Sequence, residues 1–140
     1  MVTFHYDKFD TYNFAKVEED LKKNHDEACP LPWELDLDVW TLIGSDTAWV
    51  EDDGVIVGYC LLRIINHHHY GKQVAISEVL YVRPEYRGKT SIMFLRYIED
   101  EVKSRGAKGL FQASSSKKDI SKLMQREGYY PTETVYFKEL

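Results

Sequence analysis

The fold of this chain is organised around residues 76–105, ISEVLYVRPEYRGKTSIMFLRYIEDEVKSR. It begins with β-branched and aromatic residues, Val79 to Val82, which are typical of a strand. Pro84 ends that strand because proline has no N–H to donate to a neighbouring strand. A basic turn, residues 86–89, then leads into apolar residues that recur at helical spacing from Ile92 to Val102. The first N–H groups of a helix have no partner within it and attract anions, so this strand, turn and helix predict a phosphate site.

One common class of phosphate site is excluded by a single residue. The turn Gly88-Lys89-Thr90 resembles the end of a Walker loop, which requires another glycine five residues before Gly88. The residue at that position is Arg83. The chain is therefore not predicted to be a nucleoside triphosphatase.

Residues 82–89, V-R-P-E-Y-R-G-K, resemble the acetyl-CoA-binding core of the GNAT N-acetyltransferase superfamily. In that family the fourth strand enters an Arg/Gln-x-x-Gly-x-Gly/Ala turn, whose backbone N–H groups bind the CoA pyrophosphate. Arg87 takes the first position of this signature, whereas its glycine falls on Thr90 and its Gly/Ala position on Ile92. Because glycine permits close approach of a ligand to the backbone, we expect Ile92 to crowd the cofactor.

Two further patterns carry the same resemblance. Residues 52–59 look like the family's "dG.ivGy" hairpin, and residues 127–129 look like its "lGY" ending after the last helix. With His69-Tyr70 before the fourth strand and VYFKEL at residues 135–140, the chain is also similar to small acetyltransferase-like proteins of tailed phages and prophages. The resemblance covers essentially the whole chain and implies an α/β, single-domain GNAT fold. That fold has a mixed, mostly antiparallel sheet with splayed central strands flanked by helices.

Composition indicates a globular protein of one domain, residues 1–140. Of the 140 residues 44% are hydrophobic, and the net charge of −5 argues against nucleic acid as a partner. Cys29 and Cys60 are the only cysteines and form no disulfide framework or zinc motif, which favours the cytoplasm, or the host cytoplasm for a phage protein. Apolar runs are too short to cross a membrane, so no membrane partner is expected.

The remaining elements are predicted from local patterns. We expect strands at residues 2–6, 47–51, 55–65, 73–82, 108–113 and 135–138, helices at residues 11–24, 34–43 and 116–127, and a loop at residues 29–33. Asp53-Gly54 predicts a tight hairpin, and Gly58 within the next strand indicates a bulge or close approach. Gly106 and Gly128 are placed to end helices, and Ser116 to Asp119 matches a capping box.

The resemblance implies where acetyl-CoA would bind. The backbone of Leu80, Tyr81 and Val82 would hold the pantetheine. The pyrophosphate would lie on the turn and the start of the helix, formed by Arg87, Gly88, Lys89, Thr90, Ser91 and Ile92. Lys117 or Lys118 could add charge for the phosphates, although the alternative, a solvated helix start, is open.

Catalytic candidates follow from the chemistry of amine attack on a thioester, which requires a base for the ammonium and an acid for the thiolate. Glu78 lies on the fourth strand, where the family often has a carboxylate, and the alternative is an ion pair with Arg63 or Lys72. The tyrosine that serves as acid in much of the family is replaced by Met124, which we expect to fill the core. Tyr129 is a further candidate for the acid by proximity, and His69, as a histidine, could share the role of base.

The sequence thus predicts an N-acetyltransferase that moves an acetyl group from acetyl-CoA to an amine of an unidentified small molecule or protein. The alternative is a catalytically inactive GNAT-like binding or virion-associated accessory protein. No metal site is expected, because consecutive histidines 67–69 point in different directions and lack further ligands. Dimers are frequent in the superfamily, so the resemblance also allows a homodimer.

Overall fold

The computed structural model describes residues 1–8, 11–36 and 45–140, with only the backbone of residues 11–14. Five strands and three helices occur in these ranges. They are β1 (Val2–Lys8), α1 (Thr11–Ala28), β2 (Asp46–Asp52), β3 (Val55–Asn66), β4 (Gln73–Val82), α2 (Lys89–Ser104), β5 (Leu110–Phe111) and α3 (Ser121–Arg126). No helix among the described residues is long and apolar enough to cross a membrane.

The sheet has the order β1-β2-β3-β4-β5. The first four strands pair antiparallel with their sequence neighbours, and β5 pairs parallel to β4 after the crossover through α2. This is a mixed, mostly antiparallel sheet flanked by helices, so the predicted fold class is confirmed.

Glycine residues determine the hairpin turn between β2 and β3 and the C-terminal end of α2. Asp53 and Gly54, which connect β2 to β3, both have positive φ, +48° and +83°, as a two-residue hairpin requires. Gly106 ends α2 with a φ of +97°, and the N–H of Ala107 donates to the carbonyl of Val102 at 3.0 Å. The hairpin and the helix end therefore lie where the sequence predicts them.

Gly58 lies where three neighbours approach the backbone. A Cβ at this position would be 2.8 Å from Val50 Cγ1, 3.0 Å from the Tyr81 carbonyl oxygen and 3.1 Å from Val82 Cγ2. The register between β2 and β3 also shifts next to it, between Val50 and Glu51. Both predicted features, the close approach and the bulge, are present.

Each face of the sheet buries its own apolar cluster. The face covered by α2 holds residues of β2, β3 and β4 together with Phe94, Ile98 and Val102 of the helix. The opposite face holds Val17 and Leu21 of α1 against Tyr59, Leu61 and Tyr81. Because β4 contributes to both clusters, its alternating side chains fix the sheet between the two helices.

Three predicted elements near the C-terminus need correction. Helix α3 begins at Ser121 and not at Ser116, because the Asp119 carboxylate accepts hydrogen bonds from the Ser121 N–H and from the Ser114 hydroxyl and forms no capping box. Strand β5 is only two residues long. Residues 135–138 form no strand, and Val135 and Tyr136 are 84% and 89% exposed.

The predicted helix at residues 34–43, with Leu37 and Trp40 on its apolar side, falls mostly outside the described residues. Residues 34–36 have no regular structure.

Candidate functional site

A cavity of about 630 Å³ opens where β4 and β5 separate. The two strands pair only at Ala75 with Leu110 and at Ile76 with Phe111. Beyond this point the edge of β4 is not paired with β5, so its backbone N–H and carbonyl groups there are available to a ligand. The size of the cavity is within the range of small-molecule sites.

Four segments line the cavity. They are β4 (residues 77–80 and Val82), the turn and first half of α2 (Arg87, Gly88, Ser91, Ile92 and Leu95), the chain from β5 through α3 (Gln112, Ala113, Ser115, Lys118, Ile120, Leu123 and Arg126) and the end of α1 (Asn24 and residues 28–30). Ser115 ties two of these segments together, since its hydroxyl donates a hydrogen bond to the carbonyl of Ala28.

The N-terminus of α2 faces this cavity. Gly88 caps the helix with φ +99° and ψ −120°, a backbone conformation that residues other than glycine rarely adopt. The first helical hydrogen bond runs from the Ile92 N–H to the Gly88 carbonyl at 3.1 Å. The N–H groups of residues 89–91 therefore have no acceptor within the helix, and together with the helix dipole they favour an anion.

Two basic side chains lie at this end of the cavity. The Nε of Arg87 donates to the Val82 carbonyl at 2.9 Å, and its Nη2 donates to both carboxylate oxygens of Glu27 at 2.7 and 2.9 Å. Lys118 also contacts the Glu27 carboxylate. The structure thus brings Arg87 and Lys118, both considered as phosphate ligands from the sequence, to one carboxylate of α1.

Glu78 lines the cavity as the extra residue of a bulge in β4. Leu61 of β3 lies opposite Val79 and Leu62 lies opposite Ser77, so Glu78 has no partner across the strand pair. Its carboxylate accepts a hydrogen bond from Arg63 Nε at 2.5 Å, and its side chain is 35% exposed. The Arg63 ion pair, which the sequence left open as an alternative, is therefore present, and the side chain still borders the cavity.

The other two catalytic candidates do not border the cavity. The hydroxyl of Tyr129 donates to Glu99 of α2 at 2.9 Å, and burial, followed by this hydrogen bond, raises the pKa of Tyr129 well above its usual value. His69 is exposed in the loop before β4, where its ring lies 4.2 Å from that of His68. No three metal-ligating side chains come together in the described part of the chain.

Among the residues expected to bind the cofactor, Leu80, Val82, Arg87, Gly88, Ser91 and Ile92 line the cavity. Tyr81 is buried on the α1 side of the sheet, 2% exposed, and does not line the cavity, and the Arg87 guanidinium lies 5.7 Å from the centre of its ring. Lys89 and Thr90 lie in the first turn of α2 but outside the cavity lining. Met124, which replaces the usual tyrosine, is buried at 6% exposure.

Sequence reasoning missed several cavity residues with polar side chains, among them Arg126, Ser77 and Cys29. Arg126 of α3 borders the cavity, and among the described residues no carboxylate contacts it. Ser77 of β4 also borders the cavity, and its hydroxyl oxygen lies 3.4 Å from Cys60 Sγ. Cys29 is the third, and burial raises the pKa of its thiol. No local signal marks these residues, because their positions depend on how α1, β4 and α3 pack together.

Comparison with known protein families gives a match that spans most of the chain. The model of the acetyltransferase (GNAT) family matches residues 10–121. The chain belongs to this family. The resemblance that residues 82–89 predicted is confirmed, and so, at the level of the family, is an acetyl-CoA-dependent acyltransferase with acetyl-CoA as cosubstrate.

Solved structures with the same fold cover the chain almost completely. A ribosomal-protein-alanine N-acetyltransferase from Brucella melitensis biovar Abortus 2308 is 14% identical, with a TM-score of 0.78 and 99% and 98% of the two chains covered. The aminoglycoside N-acetyltransferase AAC(6′)-Iy, in complex with CoA, is 16% identical, with a TM-score of 0.73 and 100% and 96% covered.

An acetyltransferase from Trypanosoma brucei is 20% identical, with a TM-score of 0.69 and 99% and 100% covered. At these identities the structures support the fold alone. A search of curated proteins found no match. The similarity to phage proteins has no support from these matches and stays a prediction.

Proposed function

We propose that the protein transfers the acetyl group of acetyl-CoA to a primary amine of a small molecule or a protein, by direct attack of the amine. The observation that carries this proposal is the cavity between the separated strands β4 and β5, which ends at the glycine-capped N-terminus of α2. A long thioester ligand requires this combination of a slot for its chain and an anion site for its diphosphate.

The residues that line the cavity fit such a ligand. The unpaired edge of β4 at residues 77–82 can hydrogen-bond an amide-bearing chain, as an added strand would. Gly88 and the free N–H groups of residues 89–91 supply donors for phosphate oxygens. Ile92 borders the cavity and narrows the anion site relative to the glycine or alanine of the family signature. These features support binding of acetyl-CoA, with a phosphate site that is shallower than the one formed by the family's signature turn.

Acetyl-CoA supplies an activated acyl group when it is bound. In the transfer a C–N bond to the amine forms, the C–S bond breaks, the attacking nitrogen loses a proton and the thiolate takes one. We assign the proton acceptor to Glu78, the cavity carboxylate at the bulge where the strands separate. Arg63 contacts Oε1 of Glu78, which leaves Oε2 to accept a proton. Tyr129 is bonded to Glu99 and lies outside the cavity, so water is the better source of the proton for the thiolate.

Calorimetric titration with acetyl-CoA and with CoA tests the binding step, and release of free thiol in the presence of a panel of primary amines tests transfer. We expect micromolar affinity, about −8 kcal/mol. Absence of binding at millimolar ligand would refute the proposal. Binding without transfer to any amine would favour the alternative, a binding protein with the fold of the family.

A further inference from the structure

Glu27, the next-to-last residue of α1, bridges two basic side chains across the end of the cavity. Its Oε1 and Oε2 lie 2.7 and 2.9 Å from Arg87 Nη2, and Lys118 Nζ contacts Oε1. Arg87 precedes α2 and Lys118 precedes α3, so a single carboxylate joins three separate segments. Both cations border the cavity, and Arg87 is next to the glycine that caps α2.

Partial burial makes these contacts stronger than ordinary surface ion pairs. The side chains of Arg87, Glu27 and Lys118 are 34%, 29% and 26% exposed. Burial raises the pKa of Glu27, but the hydrogen bonds from Lys118 and Arg87 outweigh it, so the pKa lies below its usual value. Glu27 is therefore an anion at neutral pH, held between two cations and beside a helix N-terminus that attracts anions.

A carboxylate in this place uses the donors that a phosphate group requires. Arg87 donates its Nε hydrogen to the Val82 carbonyl and an Nη2 hydrogen to the Glu27 carboxylate. Lys118 contacts the Glu27 carboxylate as well. A phosphate beside Gly88 would have to take Arg87 or Lys118 from Glu27, or would lie close to a like charge, which costs free energy.

We propose that Glu27 is a competing anion that occupies the Arg87–Lys118 site and must leave it before a diphosphate can bind there. This inference rests on the proposed function, because it assigns a specific cost to the phosphate part of CoA. Glu27 thereby weakens binding of the diphosphate and leaves binding of the pantetheine unaffected. It touches neither the strand edge nor Glu78.

The test compares CoA with pantetheine, which has no phosphates, by calorimetric titration of the wild type and three variants. Glu27→Gln removes the charge with almost no change in shape, and Glu27→Ala also removes the hydrogen-bond acceptor. Glu19→Gln is the matched control, because Glu19 is an 81% exposed carboxylate of the same helix whose ion pair among the described residues is with Lys23, at 3.3 Å. Thermal unfolding of each variant confirms that it is folded.

We expect both Glu27 variants to bind CoA roughly tenfold more tightly than the wild type, the size expected of two partly exposed ion pairs. Pantetheine should bind equally to all proteins, and Glu19→Gln should bind CoA as the wild type does.

Four outcomes would overturn it. Equal CoA binding by folded Glu27 variants would show that Glu27 does not compete with the ligand, and weaker binding would show that it positions Arg87 and Lys118. In both cases binding by the wild type would leave the proposed function intact. Tighter binding of both CoA and pantetheine would show that the variants open the cavity in general. No CoA binding by any protein would refute the proposed function together with the inference.

Discussion

Replacement of Gly58 by alanine tests how closely β2 and β4 pack against the backbone of β3 at this residue. The added Cβ would lie 2.8 Å from Val50 Cγ1, 3.0 Å from the Tyr81 carbonyl oxygen and 3.1 Å from Val82 Cγ2. Val50 is fully buried, and the carbonyl of Tyr81 belongs to the backbone of the inner strand β4 and cannot rotate away. Strand β4 must therefore shift by a few tenths of an ångström against a packed core, and overpacking of this kind costs about 1–3 kcal/mol.

Urea unfolding measures this cost. With a loss of about 2 kcal/mol and a slope of about 2 kcal/mol per molar urea, the midpoint should fall by about 1 M. Gly109→Ala is the matched control, because a Cβ there meets no heavy atom within 4 Å and the backbone is not left-handed. It should change the free energy of unfolding by less than about 0.5 kcal/mol. If Gly58→Ala is as mild as Gly109→Ala, the close packing of β2, β3 and β4 around this glycine is wrong.

Three other variants test the site. Glu78→Gln should lower turnover roughly 10²- to 10³-fold and leave CoA affinity unchanged, since it removes the proton acceptor alone; steady-state thiol release measures this, and unchanged turnover removes Glu78 from the mechanism. Arg126→Gln should weaken CoA binding about three- to tenfold because it removes a cation from the cavity, whereas Lys122→Gln, which changes an exposed lysine of the same helix outside the cavity, should have no effect. Equal titration curves for the two would contradict a role for Arg126. Glu27→Gln should be less stable to urea than the wild type at pH 7. Because the pKa of Glu27 is lowered in the folded state, this difference should persist above about pH 4.5, the usual value, and disappear as the pH falls through the folded-state pKa. A difference that stays constant down to pH 3 would refute the ion pairs.

Elements that depend on neighbouring residues could be predicted from the sequence. The Asp53-Gly54 turn requires positive φ at two consecutive positions, and few residue pairs other than Asp-Gly or Asn-Gly supply it. The end of α2 at Gly106 follows from the same property of glycine. The strand and helix on either side of Arg87 have clear apolar periodicities, so the turn between them could be located without a structure.

Elements that depend on distant partners could not be predicted in this way. Residues 135–138, Val-Tyr-Phe-Lys, have the β-branched and aromatic composition of a strand, but composition does not show whether another strand is available to pair with them. The segment from Ser116 to Asp119 has the composition of a capping box, but the Asp119 carboxylate bonds to Ser114 and Ser121. Short polar side chains can stabilise several local conformations, and packing decides between them.

The site shows the same division. Glu78 was proposed from its strand position, but its place in a bulge and its bond to Arg63 depend on the register of β3 against β4. Glu27 precedes Arg87 by 60 residues and Lys118 by still more, and nothing in the neighbouring sequence links them. A helix predicted to end at Asn24 also leaves Glu27 outside the helix that carries it.

The pairing of β5 with β4 through only two residues has a consequence for local stability. The antiparallel part of the sheet, from β1 to β4, is joined along strands of seven to twelve residues, whereas β5 joins it through one short parallel ladder. The rest of the chain after Gly106 is held by side-chain contacts such as those of Ser115 with Ala28 and of Tyr129 with Glu99. Local opening costs least where few backbone hydrogen bonds must break. We therefore expect amide hydrogens of residues 110–126 to exchange with solvent faster than those of residues 47–82, and a ligand in the cavity to slow their exchange. The C-terminal quarter of the chain would then be the wall of the cavity that moves when a long substrate enters.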